Sequence, residues 1–323
     1  MLETLTSPSE GRGYSGSPFW PDTMSAAMGA VLWSARAYRG DALSRRLQRQ
    51  VRAAFAATLR PSASRHWFTL MEDPAMRPFA QANPLLPLKP FRVYLSANWN
   101  RDRRRKVIRD TYSVVLRRGG ALRQALLDPD GAVLARMVTE NAGEVAIRLH
   151  QDARFRKEGE FTLSLDCPAL GGRVMSLAFS LERLRSGHLA AFIGCVQGQE
   201  DGADAIRTLT KALHGLRPRS LMVPLIQDIA AALGVQELYG AGLSIQVHRR
   251  KHAIHLPGIH ALGFDYDAYW LQAGGAEGFD GWFRLPLQTP RRGREDMKPN
   301  KRSMYAKRYA MLDELGAAIR KTV

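Results

Sequence analysis

Four of the eight histidines fall in one short stretch, HRRKHAIHLPGIH, at His248, His252, His255 and His260. An imidazole takes up and returns a proton near neutral pH, so such a cluster suits general acid and base work. The spacing His252-x-x-His255 would bring two rings together on one helical turn, but Pro257 and Gly258 break the pattern. No metal site is expected, because the ligand set is incomplete. Asp265, Tyr266, Asp267, Tyr269 and Trp270 follow within a few residues. A carboxylate there can orient a cation or accept a proton, phenols can donate hydrogen bonds, and an indole can wall a pocket. The competing reading is an aromatic turn whose acids pair with nearby bases.

Upstream, HGLRPRS adds His214 and Arg217. In a group-transfer arrangement His214 or His252 accepts the proton of the nucleophile, while Asp265 and Tyr266 orient and serve the acceptor. Arg217 and Lys251 hold an anionic donor, acyl or nucleotide, and His248, Tyr269 and Trp270 contact the substrate. An anionic small molecule is the partner this arrangement implies.

A second chemistry is carried by cations. The chain has 47 Lys and Arg against 30 Asp and Glu, a formal charge of +17. Such a field attracts nucleic acid, anionic lipid or an acidic partner. Arg103 and Lys106 lie in the densest run, RDRRRKVIRD, although a helix spreads these residues around its axis. Near the C-terminus Arg302, Tyr305, Arg308 and Tyr309 have the spacings that share a helical side, so RNA phosphates could meet cations while bases stack on tyrosines. Packed tyrosines with wet cations would give the same pattern.

The elements that must position these groups are legible as patterns. Val174 to Leu181 and Leu189 to Val196 are apolar runs joined by ERLRSGH, a hairpin whose strands are buried on both faces. AVLARMVTE, EVAIRLH and GEFTLSLDCP read as preceding strands. Asp201 to Leu213 and Leu221 to Leu233 have helical stripes, closed by Gly215 and Gly234. A further strand-like run reaches Val247, and a terminal helix begins near Ser303.

Before this core, helical spacing covers Thr23 to Leu59. Leu43, Leu47, Val51, Ala54 and Phe55 share one side of it, with Arg45, Arg46, Arg49 and Arg52 outside that stripe. Five prolines between Pro74 and Pro90 favour a wrapping arm, anchored by its aromatic and leucine side chains. Arg92 to Leu95 reads as a short strand, and Asn100 to Leu127 as mainly helix.

The expected organisation is a flexible segment over 1–22, a helical and Pro-rich region over 23–130, and an α+β core over 131–323 with a basic C-terminal helix. Helices would pack on a large mixed or antiparallel sheet. The two cysteines, Cys167 and Cys195, are too few for a disulfide framework, and Cys195 reads as a packed strand residue. No signal peptide or membrane-spanning run is evident, which makes a cytoplasmic protein the expectation, with peripheral contact at the inner membrane as a variant.

Taken in order, HGLRPRSLM, HRRKH, FDYDAYW and KRSMYAKRYAML resemble the VirK/YbjX family over most of residues 60–315. The resemblance implies a bacterial protein associated with virulence or tolerance of antimicrobial peptides, and it brings no catalytic mechanism. Leu189 to Leu213 also looks like the central strand, turn and helix of acetyltransferase-like folds, in which a helix start receives a cofactor phosphate. Here the turn is QGQEDGAD, whose acids oppose an anion. A transferase-like enzyme acting on an amine, peptide or envelope-related substrate is the leading expectation. The alternatives are a noncatalytic regulatory or RNA-binding protein and a peripheral membrane-surface protein.

Overall fold

A computed structural model describes residues 19–247, 264–293 and 295–323. The chain divides into two compact units, residues 1–92 and 93–323.

The first unit is helical. It comprises α1 (Phe19–Ala37), α2 (Leu43–Thr58), α3 (Pro61–Glu72), the short α4 (Arg77–Ala82) and a 3-10 turn over Leu86–Phe91. Trp33, Trp67, Phe68, Met71 and Phe79 are buried in it. Gly29 on α1 admits the Phe68 ring, which would lie 2.7 Å from a Cβ at that position, and Phe68 stacks on Phe91. The proline-rich stretch is the packed arm that its apolar residues require. Residues Leu86 to Pro90 are buried, and the Trp67 indole donates to the Pro87 carbonyl at 2.8 Å.

The second unit starts without the short strand expected at Arg92 to Leu95. Only an isolated bridge joins Tyr94 and Ser96, because Leu95 takes a positive φ of 60° and its N–H turns to the Lys157 carbonyl at 2.7 Å. Then come α5 (Arg101–Arg118), capped by the Asn100 side chain on Arg103 N, and α6 (Gly120–Leu127). Gly119 and Gly120, both at positive φ, break what would otherwise be one helix.

Five strands follow: β1 (Ala132–Thr139), β2 (Gly143–His150), β3 (Phe161–Cys167), β4 (Gly172–Arg183) and β5 (Leu189–Gly198). They form an antiparallel meander. From β5 the chain crosses through α7 (Ala203–Ala212) and α8 (Pro218–Leu233) to β6 (Glu237–Ala241), which lies parallel to β5. After α9 (Tyr266–Gln272), β7 (Ala276–Glu277) and β8 (Trp282–Leu285) complete an eight-stranded sheet in the order β1-β2-β3-β4-β5-β6-β8-β7. The C-terminal α10 (Arg302–Thr322) packs on α8 and β1. The fold is α+β, with helices around one mixed sheet.

Register explains how strands this apolar carry polar groups. One row across the sheet pairs Leu149, Leu163, Leu177 and Val196. The adjacent rows, pointing to the other face, pair Arg148, Ser164, Ser176 and Gln197, and then His150, Thr162, Ala178 and Cys195. The sheet therefore has one apolar face and one partly polar face, and Thr162 and Ser164 on β3 and Ser176, Ser180 and Glu182 on β4 are buried.

Candidate functional site

The polar face gathers around Glu160, at the entrance to β3. Its carboxylate accepts from the Tyr94 hydroxyl at 2.7 Å and from the Tyr112 hydroxyl at 3.0 Å. Ser180 on β4 accepts from Glu160 N at 2.9 Å and meets Tyr94 Oη at 2.7 Å. All four side chains are buried. Burial, followed by the charge of Glu160, raises both phenols well above their ordinary pKa, so they remain donors.

Beyond this network stands His150. Burial first, then the Arg173 guanidinium, lowers its pKa to about 4 against the pull of Asp166 and Asp152. The ring is neutral at physiological pH, and Nε2 has no hydrogen-bond partner among the described residues. Arg173 pairs with Asp152, and Arg148 with Asp166 at 3.1 Å. Burial works against the Asp152 carboxylate, yet bonds from Arg154 and the charge of Arg173 hold it below the usual range.

The junction of β5 with β6 carries the second part of the site. The β4–β5 register shifts between Ala178 and Phe179, with Gly194 as the extra residue. The position needs glycine, since any Cβ there would overlap the Glu158 carbonyl. The parallel pairing with β6 covers only Ala190 to Ile193. Beyond it the backbone of Val196 is met by a side chain: Tyr266 Oη donates to Val196 O at 3.1 Å and accepts from Val196 N at 3.4 Å. Burial, with Cys195 alongside, pushes the Tyr266 phenol far up. Burial and then the Glu158 charge do the same to the Cys195 thiol, which stays protonated rather than nucleophilic. Tyr266, Cys195 and Glu158 thus form a buried group at the parting of two strands.

The residues singled out from sequence fall in several places. Asp265 caps α9, accepting from Ala268 N at 2.9 Å. Tyr269 donates to the Arg219 carbonyl at 2.9 Å, and Trp270 to the Ala241 carbonyl at the same distance. Trp270 is wholly buried against Gly240, which makes it core rather than pocket wall. Arg219 stacks on Phe264 at 3.9 Å. Of the acidic and aromatic cluster, it is Tyr266 that reaches the strand junction.

His214 lies after α7 at a positive φ of 51°, and its carbonyl accepts from Arg308 at 2.8 Å. Arg217 is the exposed residue ahead of α8. His248, Lys251 and His252 lie outside the described residues.

Arg103 and Lys106 turn toward Glu182, at 3.0 and 3.3 Å, and Arg103 also lies over Trp99 at 4.9 Å. Glu182 is buried, and its desolvation raises its pKa despite both cations. On α10 the tyrosines do share a side. Tyr305 and Tyr309 are 5.9 Å apart, Arg308 stacks on Tyr305 at 4.6 Å, and Arg291 on Tyr309 at 5.0 Å. Arg302 donates to the Met297 carbonyl at 3.4 Å.

Sequence reasoning missed Glu158, Glu160, His150, Tyr94 and Tyr112. The signal available was the polar residues set inside apolar runs, Thr162, Ser164 and Asp166 in one strand and Ser176, Ser180 and Glu182 in the next. Among the described residues no three His, Cys, Asp or Glu side chains gather as a metal site. In the first unit a cleft of about 520 Å³ is lined by Trp33, Arg36, Arg39, Glu72 and Arg77 among others.

A helix-covered mixed sheet with a buried polar face is thus the class of protein in hand. The family described as "Protein of unknown function (DUF535)" matches residues 42–321, and the chain belongs to it. It is 28% identical over 288 residues to the uncharacterized protein YbjX of Escherichia coli strain K12, covering 88% of this chain and 82% of that one. An uncharacterized protein of Haemophilus influenzae is 39% identical over 132 residues, 40% of this chain and 42% of its own. A second from the same organism is 32% identical over 129 residues, with similar coverage. No solved structure matches the chain.

Proposed function

We propose that the chain is a transferase-like enzyme that moves an acyl group to an amine, peptide or envelope-related acceptor. One observation carries this reading. The parallel pairing of two strands ends at Ile193, and among the described residues the backbone of Val196 beyond it is engaged by a protonated phenol beside a buried acid. An extended donor arm with amide groups can pair with such a strand edge, which fixes it by main-chain hydrogen bonds. The order of strands around this parting is what an acetyltransferase-like fold would need, and it supports the fold-level likeness of β5 and the helix after it.

In the reaction so read, the acceptor amine attacks the acyl carbonyl and gives its proton to a base, for which His214 and His252 are the candidates from sequence. The new C–N bond forms as the bond to the donor's leaving group breaks; the base passes the amine's proton on to that group, and Tyr266 steadies it by donating a hydrogen bond. Arg217 and Lys251 would meet the donor's anionic end.

The test is mass spectrometry of small molecules retained by gently purified protein, followed by calorimetry with any enriched compound and with an acyl-coenzyme A. A donor in stoichiometric amount is expected. Tyr266→Phe should keep donor binding and lose about 100-fold in turnover. Absence of any donor, together with tight RNA binding that weakens steeply with salt, would replace this reading with the nucleic-acid one. The stacked arginines and tyrosines of α10 are the feature that favours that second reading.

A further inference from the structure

We infer that α1 and α2 together form a face that seats on an anionic lipid bilayer. The inference goes beyond the proposed transfer reaction and does not rest on it.

The observation is an apolar surface turned outward. Met24, Met28 and Leu32 repeat every four residues along α1, and Leu43, Leu47, Val51, Phe55 and Leu59 do so along α2 and just past it. All eight side chains are between 48% and 69% exposed. The hairpin instead packs through small residues, with Ala26 and Ala30 buried on α1 and Ala57 on α2. The α2 stripe, which an ordinary amphipathic helix would bury, faces away from the core of its own unit. Eight such side chains show on the order of several hundred Å² of apolar surface, the size of patch that marks an interaction site on a soluble protein.

Charge identifies the occupant. Between residues 19 and 60 there are seven arginines and two aspartates, with no lysine or glutamate. Arg49 is committed to Asp41 and to the ring of Tyr38. Arg45 and Arg52 are exposed beside the stripe. On α1, Arg36 follows Leu32 at four residues and so shares its side, and the exposed Arg39 lies in the turn just past the helix. They also line, with Arg77, Trp33 and Glu72, the cleft of about 520 Å³, where Arg36 lies over the Trp33 ring at 4.7 Å and Arg77 donates to the Glu72 carbonyl at 2.9 Å, so that three guanidinium groups stand near one another. An apolar stripe flanked by arginines matches the acyl and phosphate layers of an anionic membrane surface, in which a helix lies along the interface. A second copy is a poorer match. Symmetric pairing of α2 would bring like charges together, and α2 holds no acid to answer them. Among the described residues no helix is long and apolar enough to cross the membrane, so the contact is with one surface.

The full chain is sedimented with phosphatidylcholine vesicles, with and without phosphatidylglycerol, at low and high salt. Binding to the anionic vesicles and its loss at high salt are expected. Val51→Asp combined with Phe55→Asp should lower that binding at least about tenfold with unchanged melting, because both positions are exposed. Arg45→Gln with Arg52→Gln should flatten the salt dependence. As a second readout, a polarity-sensitive dye on Phe55→Cys should report an apolar environment with anionic vesicles. The native cysteines are both buried and leave the label to that site. Wild-type protein that ignores anionic vesicles overturns the inference. So does a Val51→Asp, Phe55→Asp variant that binds like wild type, or a wild-type dimer that this variant turns into monomers without any vesicle binding. Donor binding is read separately, so either proposal can fail alone.

Discussion

His150 shows how a single buried side chain links the sheet to pH. Its imidazole protonates at about 4 in the fold, against 6.5 for the free group. Between those values the unfolded chain binds the proton and the folded chain does not, so stability falls as the pH drops from about 6.5 to about 4. Arg173, Asp166 and Asp152 are the charged groups that act on the ring. Urea unfolding of His150→Gln at a series of pH values should show a flatter slope across that window, and an unaltered slope would place the titration elsewhere. Asp152, held low by Arg154 and Arg173, adds its own loss at more acidic pH. His150 is barred from solvent, while Asp265, picked out from sequence as catalytic, stays exposed and caps α9 through Oδ1. The difference lies in tertiary burial, which residue type and spacing do not encode.

At the scale of elements, the bulge in the β4–β5 pairing depends on Gly194. Gly194→Ala would force its methyl into the Glu158 carbonyl and should cost about 2–4 kcal/mol, seen as a lower midpoint in thermal or urea unfolding. An unchanged midpoint would mean that the loop before β3 yields freely. The meander was legible because its strands are long and rich in branched and aromatic residues, and α7, α8 and α10 because their stripes keep the helical period. The strand expected to run on to Val247 stops at Ala241, since Gly242 lies against the Gly281 carbonyl and the chain then enters a 3-10 turn. β8 has four residues and β7 two, too short to show a period. The stripe on α2 was equally plain, but a period tells which side chains share a face and not whether that face is turned inward. The same limit hid the destination of Arg103 and Lys106, whose partner Glu182 is far away in sequence and buried.

For the molecule as a whole, the charge of +17 is not one uniform coat. Some of it is answered inside the second unit, as at Glu182, while the first unit keeps arginines beside an open apolar face. The Glu160 network has a different consequence, one of timing. Tyr94 lies 66 residues from Glu160, Tyr112 lies 48 residues from it, and Tyr94 and Ser180 are 86 residues apart. Closing loops of that length is slow, and the carboxylate can shed its water only after α5 has docked and β3 has joined β4. Its hydrogen bonds therefore form on the native side of the folding barrier. In stopped-flow experiments Tyr112→Phe should unfold about tenfold faster and refold at the wild-type rate. A slowed refolding limb would instead put the carboxylate in the nucleus. The carboxylate thus acts as a latch, closing last and setting how long the sheet, once assembled, stays shut.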